Sequence, residues 1–112
     1  MDLGAEFCWI DVIATADGVT VHVRGEIDLA TAPLLDAALD GVDGHGAQGV
    51  EVDLSATTFC DGAGLRVLEL AHQRFGRRLR VTGVSPLLQR LAAILDMQWI
   101  AADAIDAEPP VR

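Results

Sequence analysis

No lysine occurs anywhere in this chain of 112 residues. Schiff-base catalysis, a Walker-type phosphate-binding lysine and the lysine of a response-regulator receiver are therefore excluded. Cysteine is nearly as scarce: Cys8 and Cys60 stand alone and are not spaced as a metal site, so no metal is expected. In a reducing cytosol each reads as a small buried hydrophobe. No uncharged run approaches the ~20 residues that span a bilayer. The first residues, with Asp2 and Glu6 and no basic region, do not read as a signal peptide, and the expectation is a cytoplasmic protein without membrane contact. Neither a nucleotide loop, nor paired catalytic carboxylates, nor a nucleophile with a base in reach stands out in the sequence. The chain reads as a binding protein rather than an enzyme, with no cofactor.

What is abundant is negative charge. Eight basic against seventeen acidic residues give a net charge of −9, which opposes direct binding to nucleic acid or anionic lipid. The segment from Arg66 to Arg90 is the exception. It holds Arg66, Arg74, Arg77, Arg78, Arg80 and Arg90 against Glu69 alone. Such a stretch is either a solvated helix face or a docking surface for an acidic partner.

The length suits one domain, burying roughly two-thirds of the surface its unfolded chain exposes. Residues 6–14 and 19–25 read as strands joined by the turn Ala16-Asp17-Gly18; Val19, Val21 and Val23 alternate with Thr20, His22 and Arg24, leaving one face wet. Thr31 can cap a first helix, with Pro33 in its first turn and an apolar stripe of Leu34, Leu35, Ala38, Leu39 and Val42, stopped at Gly44-His45-Gly46. A strand over 49–54 leads into the stretch TTFCDGAGLRVL at residues 57–68. Its second half opens a helix that buries Leu65, Leu68 and Ala71 and ends near Gly76. A strand over 79–82 follows, then a helix capped by Ser85 with Pro86 first. Trp99 to Ala101 reads as a last edge strand, and residues 103–112 read as a flexible tail after a domain spanning 1–102. The order is α/β: a mixed sheet of four to five strands packed by helices. The three histidines show no ligand spacing and read as solvated.

This order, with GEIDLATAPLL at residues 25–35 and VDLSATTFCDGAGLRVL at residues 52–68, resembles the STAS family, whose small bacterial members are anti-sigma factor antagonists. The specific part is a strand ending Asp53-Leu54-Ser55, a Phe59-x-Asp61 turn and a Gly64-Leu65 helix start. The resemblance implies a partner, an anti-sigma factor of the serine-kinase type, whose sequestration frees a sigma factor. It also implies a switch, in which the kinase phosphorylates a Ser or Thr in an Asp-Ser-Ser-Gly-like motif at the start of the second helix. A phosphate there adds about two negative charges inside an interface. The surface implied for the partner comprises Asp28, Thr31, Asp61, Gly62, Ala63, Gly64 and Arg66.

Laid on that motif, Asp61 and Gly64-Leu65 match, but Gly62 and Ala63 stand where the hydroxyl residues would be, Ala63 at the phosphosite itself. Neither accepts a phosphoryl group. Two substitutes arise. Thr57 or Thr58 is an alternative acceptor, or else a hydroxyl bonded to backbone. Cys60, with Cys8, is a redox input, although a thiol beside Asp61 has its thiolate disfavoured. Asp61 reads as a helix cap, compatible with partner contact. The loop from Glu26 to Thr31 is expected beside the Asp61 turn, with Asp28 and Thr31 as loop and cap residues. A second functional reading is a non-catalytic STAS subunit bracing the ATPase of a lipid-transport ABC system, which needs no hydroxyl.

Overall fold

A computed structural model describes residues 2–5, 7–44 and 48–100, with side chains described for 7–42 and 48–100. The elements are β1 (Asp2–Ala5), β2 (Cys8–Thr15), β3 (Gly18–Ile27), α1 (Ala32–Gly44), β4 (Val50–Cys60), α2 (Gly62–Phe75), a 3₁₀ turn (Gly76–Arg78), β5 (Leu79–Thr82) and α3 (Pro86–Ile94). They form one five-stranded sheet in the order β1-β2-β3-β4-β5. The first three strands pair antiparallel, and β3, β4 and β5 pair parallel. The sheet is therefore mixed.

Alternation along the strands decides which face is buried. Ile10, Val21, Val23, Val52, Leu54 and Val81 are buried in a single core with Leu35 and Leu39 of α1, Leu65 and Leu68 of α2, and Leu88 and Ala92 of α3. The intervening Asp11, His22, Arg24, Asp53 and Arg80 lie on the opposite face, as a period of two requires. That face is laced by polar pairs. His22 Nδ1 lies 3.0 Å from Asp53 Oδ2, Arg24 lies 3.7 Å from Asp11, and Thr82 Oγ1 donates to Glu51 at 2.8 Å. The wet face carrying His22 is the expected one, but that imidazole has a carboxylate partner rather than water alone.

Three features differ from the sequence reading. The single run expected over 6–14 is preceded by a separate strand, because the chain turns at Phe7 and β1 pairs back on β2, Ala5 opposite Cys8. Four residues reading Asp-Leu-Gly-Ala carry no periodic signal. Residues 98–100 are helical, so the expected edge strand is absent there, and Ala101 lies outside the described residues. Packing on α2 decides this: the Trp99 ring stacks on His72 with centroids 4.1 Å apart and donates Nε1–H to Glu69 at 2.9 Å, while Ile100 is buried. His72 is accordingly not solvated, and its Nδ1 is buried without a hydrogen-bond partner among the described residues. His45 and the expected tail at 103–112 also fall outside the described residues.

Candidate functional site

The site is built at the C-terminal ends of the two central parallel strands, the place where open parallel sheets most readily present a surface to a ligand. Ile27, the last residue of β3, lies opposite Cys60, the last residue of β4. Immediately beyond, the amide of Asp61 donates to the carbonyl of Ile27 at 3.1 Å. The loop from Glu26 to Thr31 is thereby held beside the Asp61 turn, as expected.

Each half of this junction is a closed hydrogen-bond unit. Asp61 caps α2: its Oδ1 accepts from the amides of Ala63 at 2.9 Å and Gly64 at 3.4 Å. Two of the four amides a helix start leaves unpaired are thus satisfied. Across the junction, Asp28 Oδ1 accepts from the amides of Ala30 at 2.9 Å and Thr31 at 3.0 Å. The hydroxyl of Thr31 donates to the carbonyl of Glu26 at 2.8 Å and accepts from the amide of Asp28 at 2.9 Å. Thr31 is buried, and its hydroxyl ties the loop together instead of capping α1. The polar atoms of Asp28 and Thr31 therefore face their own loop. What the loop presents is Leu29, 80 % exposed, a residue that sequence patterning alone does not flag because a lone loop leucine has no periodicity.

The three small residues of the turn are not equivalent. A Cβ on Gly62 would meet nothing within 4 Å, whereas one on Gly64 would lie 2.6 Å from Cys60 Sγ and 2.7 Å from Ile27 Cγ2. Gly64 is buried and lets α2 seat against the strand ends. Its missing side chain therefore serves the packing of the fold. Ala63 packs partly against the core. Gly62 is exposed, and so is Arg66, one turn further on the same face of α2. Arg74 and the Arg77-Arg78 pair sit at the other end of this helix. Arg74 pairs with Asp40 at 2.7 Å, and the guanidiniums of Arg74 and Arg78 lie over Phe75. The arginine-rich segment is therefore split, and only Arg66 and Arg90 approach the turn.

The hydroxyls just upstream are engaged. β4 shifts register against β3 between His22 and Arg24 and again between Gly25 and Glu26, two irregularities that bend the strand beside the site. Where the ladder is interrupted, Thr57 Oγ1 donates to the carbonyl of Val23 at 2.9 Å and Thr58 Oγ1 to that of Gly25 at 3.2 Å.

Neither cysteine is bridged. Cys8 on β2 lies opposite Gly25 of β3, and Cys60 lies on β4 beyond it. An intervening strand sets them about 9 Å or more apart at the usual inter-strand spacing, too far for a disulfide. Burial, then the neighbouring Asp61 carboxylate, push the Cys60 thiol up to about 12. Burial first and the Asp28 carboxylate second raise Cys8, against a partial lowering by the Thr31 hydroxyl. Both thiols are protonated at neutral pH.

Alongside the turn runs a groove of about 480 Å³, lined by the end of β4 from Thr57 to Cys60, by Asp61 and Gly62 and by α3. Its rim carries Phe59, Leu87 and Ile94, which are 50 %, 69 % and 78 % exposed. Among the described residues no group of histidine, cysteine and carboxylate side chains is placed to hold a metal, and no helix is long and apolar enough to cross a membrane.

The comparisons with known proteins agree with this architecture. Over 69 residues, the chain is 33 % identical to the anti-sigma-F factor antagonist RsfB of Mycobacterium tuberculosis; the match covers 61 % of this chain and 57 % of that protein's length. The crystal structure of an anti-sigma factor antagonist from Mycobacterium paratuberculosis superposes with a TM-score of 0.75 at 27 % identity, over 86 % of this chain and 85 % of the other. The phosphorylated form of the Bacillus cell fate determinant SpoIIAA shares the fold, with a TM-score of 0.63 at 14 % identity over 80 % and 86 % of the two chains. A family model described as "Mlab, STAS domain" matches residues 10–100. The chain belongs to the STAS domain family.

Proposed function

We propose that this protein is an anti-sigma factor antagonist that binds an anti-sigma factor of the serine-kinase type and so releases its sigma factor, without a phosphorylation switch in the α2 turn. The observation that carries the reading is the junction of Ile27 and Asp61. It sets the Leu29 tip beside the open start of α2 and offers a partner Leu29, Gly62, Ala63 and Arg66 on one surface, with Asp28, Thr31, Asp61 and Gly64 shaping it from behind. The similarity to RsfB and to the mycobacterial antagonist structure supports the same role.

The absence of a hydroxyl at Gly62 and Ala63 supports constitutive binding. Thr57 and Thr58 do not replace it readily, since phosphorylating either would break its bond to a β3 carbonyl. The high thiol of Cys60 weighs against a redox input, because the thiolate is the reactive form. Regulation then rests with protein level or with the partner.

A second reading, a STAS subunit bracing the ATPase of a lipid-transport ABC system, is favoured by the same missing hydroxyls, which that role does not need. One binding experiment separates the two. Each kinase-type anti-sigma protein and each ABC ATPase of the source genome, purified singly, is titrated with this protein; saturable binding to an anti-sigma protein, reversed by excess sigma factor, supports the antagonist. Binding to an ATPase alone supports the second reading.

A further inference from the structure

The groove beside the turn is built from both of its walls. β5 pairs with β4 only as far as Asp53, opposite Thr82, while β3 accompanies β4 to Cys60. Gly83 lies directly against Ser55, and beyond it, among the described residues, the 56–60 stretch of β4 has a strand neighbour on one side only. Facing that open side, α3 is apolar on two faces: Leu88 and Ala92 enter the core, whereas Leu87 and Ile94 point outward and Leu91 is half-buried. An outward apolar face is unexpected on a chain of net charge −9. Arg90 lies in the same groove and forms no ion pair among the described residues.

We infer that this groove seats an extended apolar segment of the anti-sigma partner, laid along the open side of β4 with a carboxylate directed at Arg90. The inference rests on the Asp61 turn being the docking surface. Asp61 and Gly62 also line the groove, so a partner seated on the turn has its adjoining chain beside it. Extended backbone along an open strand gains main-chain hydrogen bonds, and alternate side chains meet Phe59 on one wall and Leu87, Leu91 and Ile94 on the other. A carboxylate complements the unpaired guanidinium of Arg90. A second copy of this chain is a poorer occupant, because two bodies of charge −9 repel.

The test uses the purified kinase-type anti-sigma proteins of the source genome as probes. Affinity is measured for wild type, Leu87→Asp/Ile94→Asp, Arg90→Glu and Gly62→Glu, and the methyl signals of Leu87, Leu91 and Ile94 are followed by NMR. The altered groove side chains are exposed, so unfolding midpoints should match wild type. Both groove variants should lose about tenfold or more in affinity, as when anchors of an interface are removed, and the methyl signals should shift on adding the partner. If the double variant binds like wild type while Gly62→Glu fails, the groove is empty in the complex and the inference falls, with the docking surface intact. Loss in the groove variants with Gly62→Glu unaffected keeps the groove and removes the turn. Binding of no anti-sigma protein by wild type overturns both. Methyl signals that move with the concentration of this protein alone, or on deletion of residues 101–112 without partner, assign the groove to a second copy or to the chain's own end and overturn the inference.

Discussion

The amide of Asp61 donates to the carbonyl of Ile27 at 3.1 Å, and through that one bond the loop after β3 and the helix after β4 become a single surface. Asp61 therefore has two separable jobs, a backbone bond that any residue makes and a carboxylate that caps α2. Asp61→Ala should cost about 1 kcal/mol of stability, the usual loss of a helix cap. Asp61→Asn, which keeps the accepting oxygen, should stay close to wild type. Urea unfolding monitored by circular dichroism measures both.

Gly64 is held by packing. Gly64→Ala places a methyl within 3 Å of Cys60 and Ile27 and should cost about 1–3 kcal/mol, the range for overpacking a filled core. Gly62→Ala, made in open space at the start of the same helix, should be neutral or slightly stabilising, because alanine is the better helix former. Equal costs at the two positions would show that Gly64 is not set by contact with the strand ends.

A phosphorylation switch should be installable at Ala63. Incubated with ATP and the proposed partner, an anti-sigma factor of the serine-kinase type, the wild type should carry no phosphate between Asp61 and Leu65, whereas Ala63→Ser should acquire it at that serine and lose affinity as it does. Mass spectrometry locates the site. Phosphate at high stoichiometry on Thr57 or Thr58 of the wild type would show that the switch has moved.

Asp53 gives the fold an acid-dependent component. Its burial raises the carboxyl pKa, but the amide of Ser55, then the Ser55 hydroxyl and His22, outweigh that and hold it below the usual carboxylate range. A group whose pKa is lowered on folding contributes stability above its unfolded pKa, and the contribution is lost as pH falls through the folded value. Stability of the wild type should therefore drop at acid pH more than that of Asp53→Asn. Unfolding midpoints compared from neutral to acid pH read the difference, and parallel curves would remove Asp53 from the account.

Much of this was legible in the sequence because the signals are local and periodic. Ser85 before Pro86, Asp61 before an apolar-periodic run, and the valines alternating along β3 each declare an element through its own spacing. The loop from Glu26 to Thr31 could be placed beside Asp61 because parallel strands joined through a helix bring like ends together. Features set by tertiary contact were not legible. Gly64 and Gly62 look alike in sequence, and only the strand ends beneath distinguish them. Residues 98–100 are too few to show a period, and Trp99 follows His72 and Glu69 rather than the sheet edge. The groove arises where β5 stops short of β4, a difference in strand length that no single segment records.

The central claim is tested most directly by calorimetric titration of each purified kinase-type anti-sigma protein of the source genome with wild type and Gly62→Glu. Space around Gly62 is open, and an acidic side chain near a helix N-terminus does not harm the fold, so a loss of binding reports on the interface. The account predicts that one anti-sigma protein binds wild type saturably and releases its sigma factor, and that Gly62→Glu weakens this by about tenfold or more, because its side chain fills the open space at the turn and ties up Arg66, one turn further on. Wild-type affinity retained in Gly62→Glu, or no binding to any of these proteins, would contradict it.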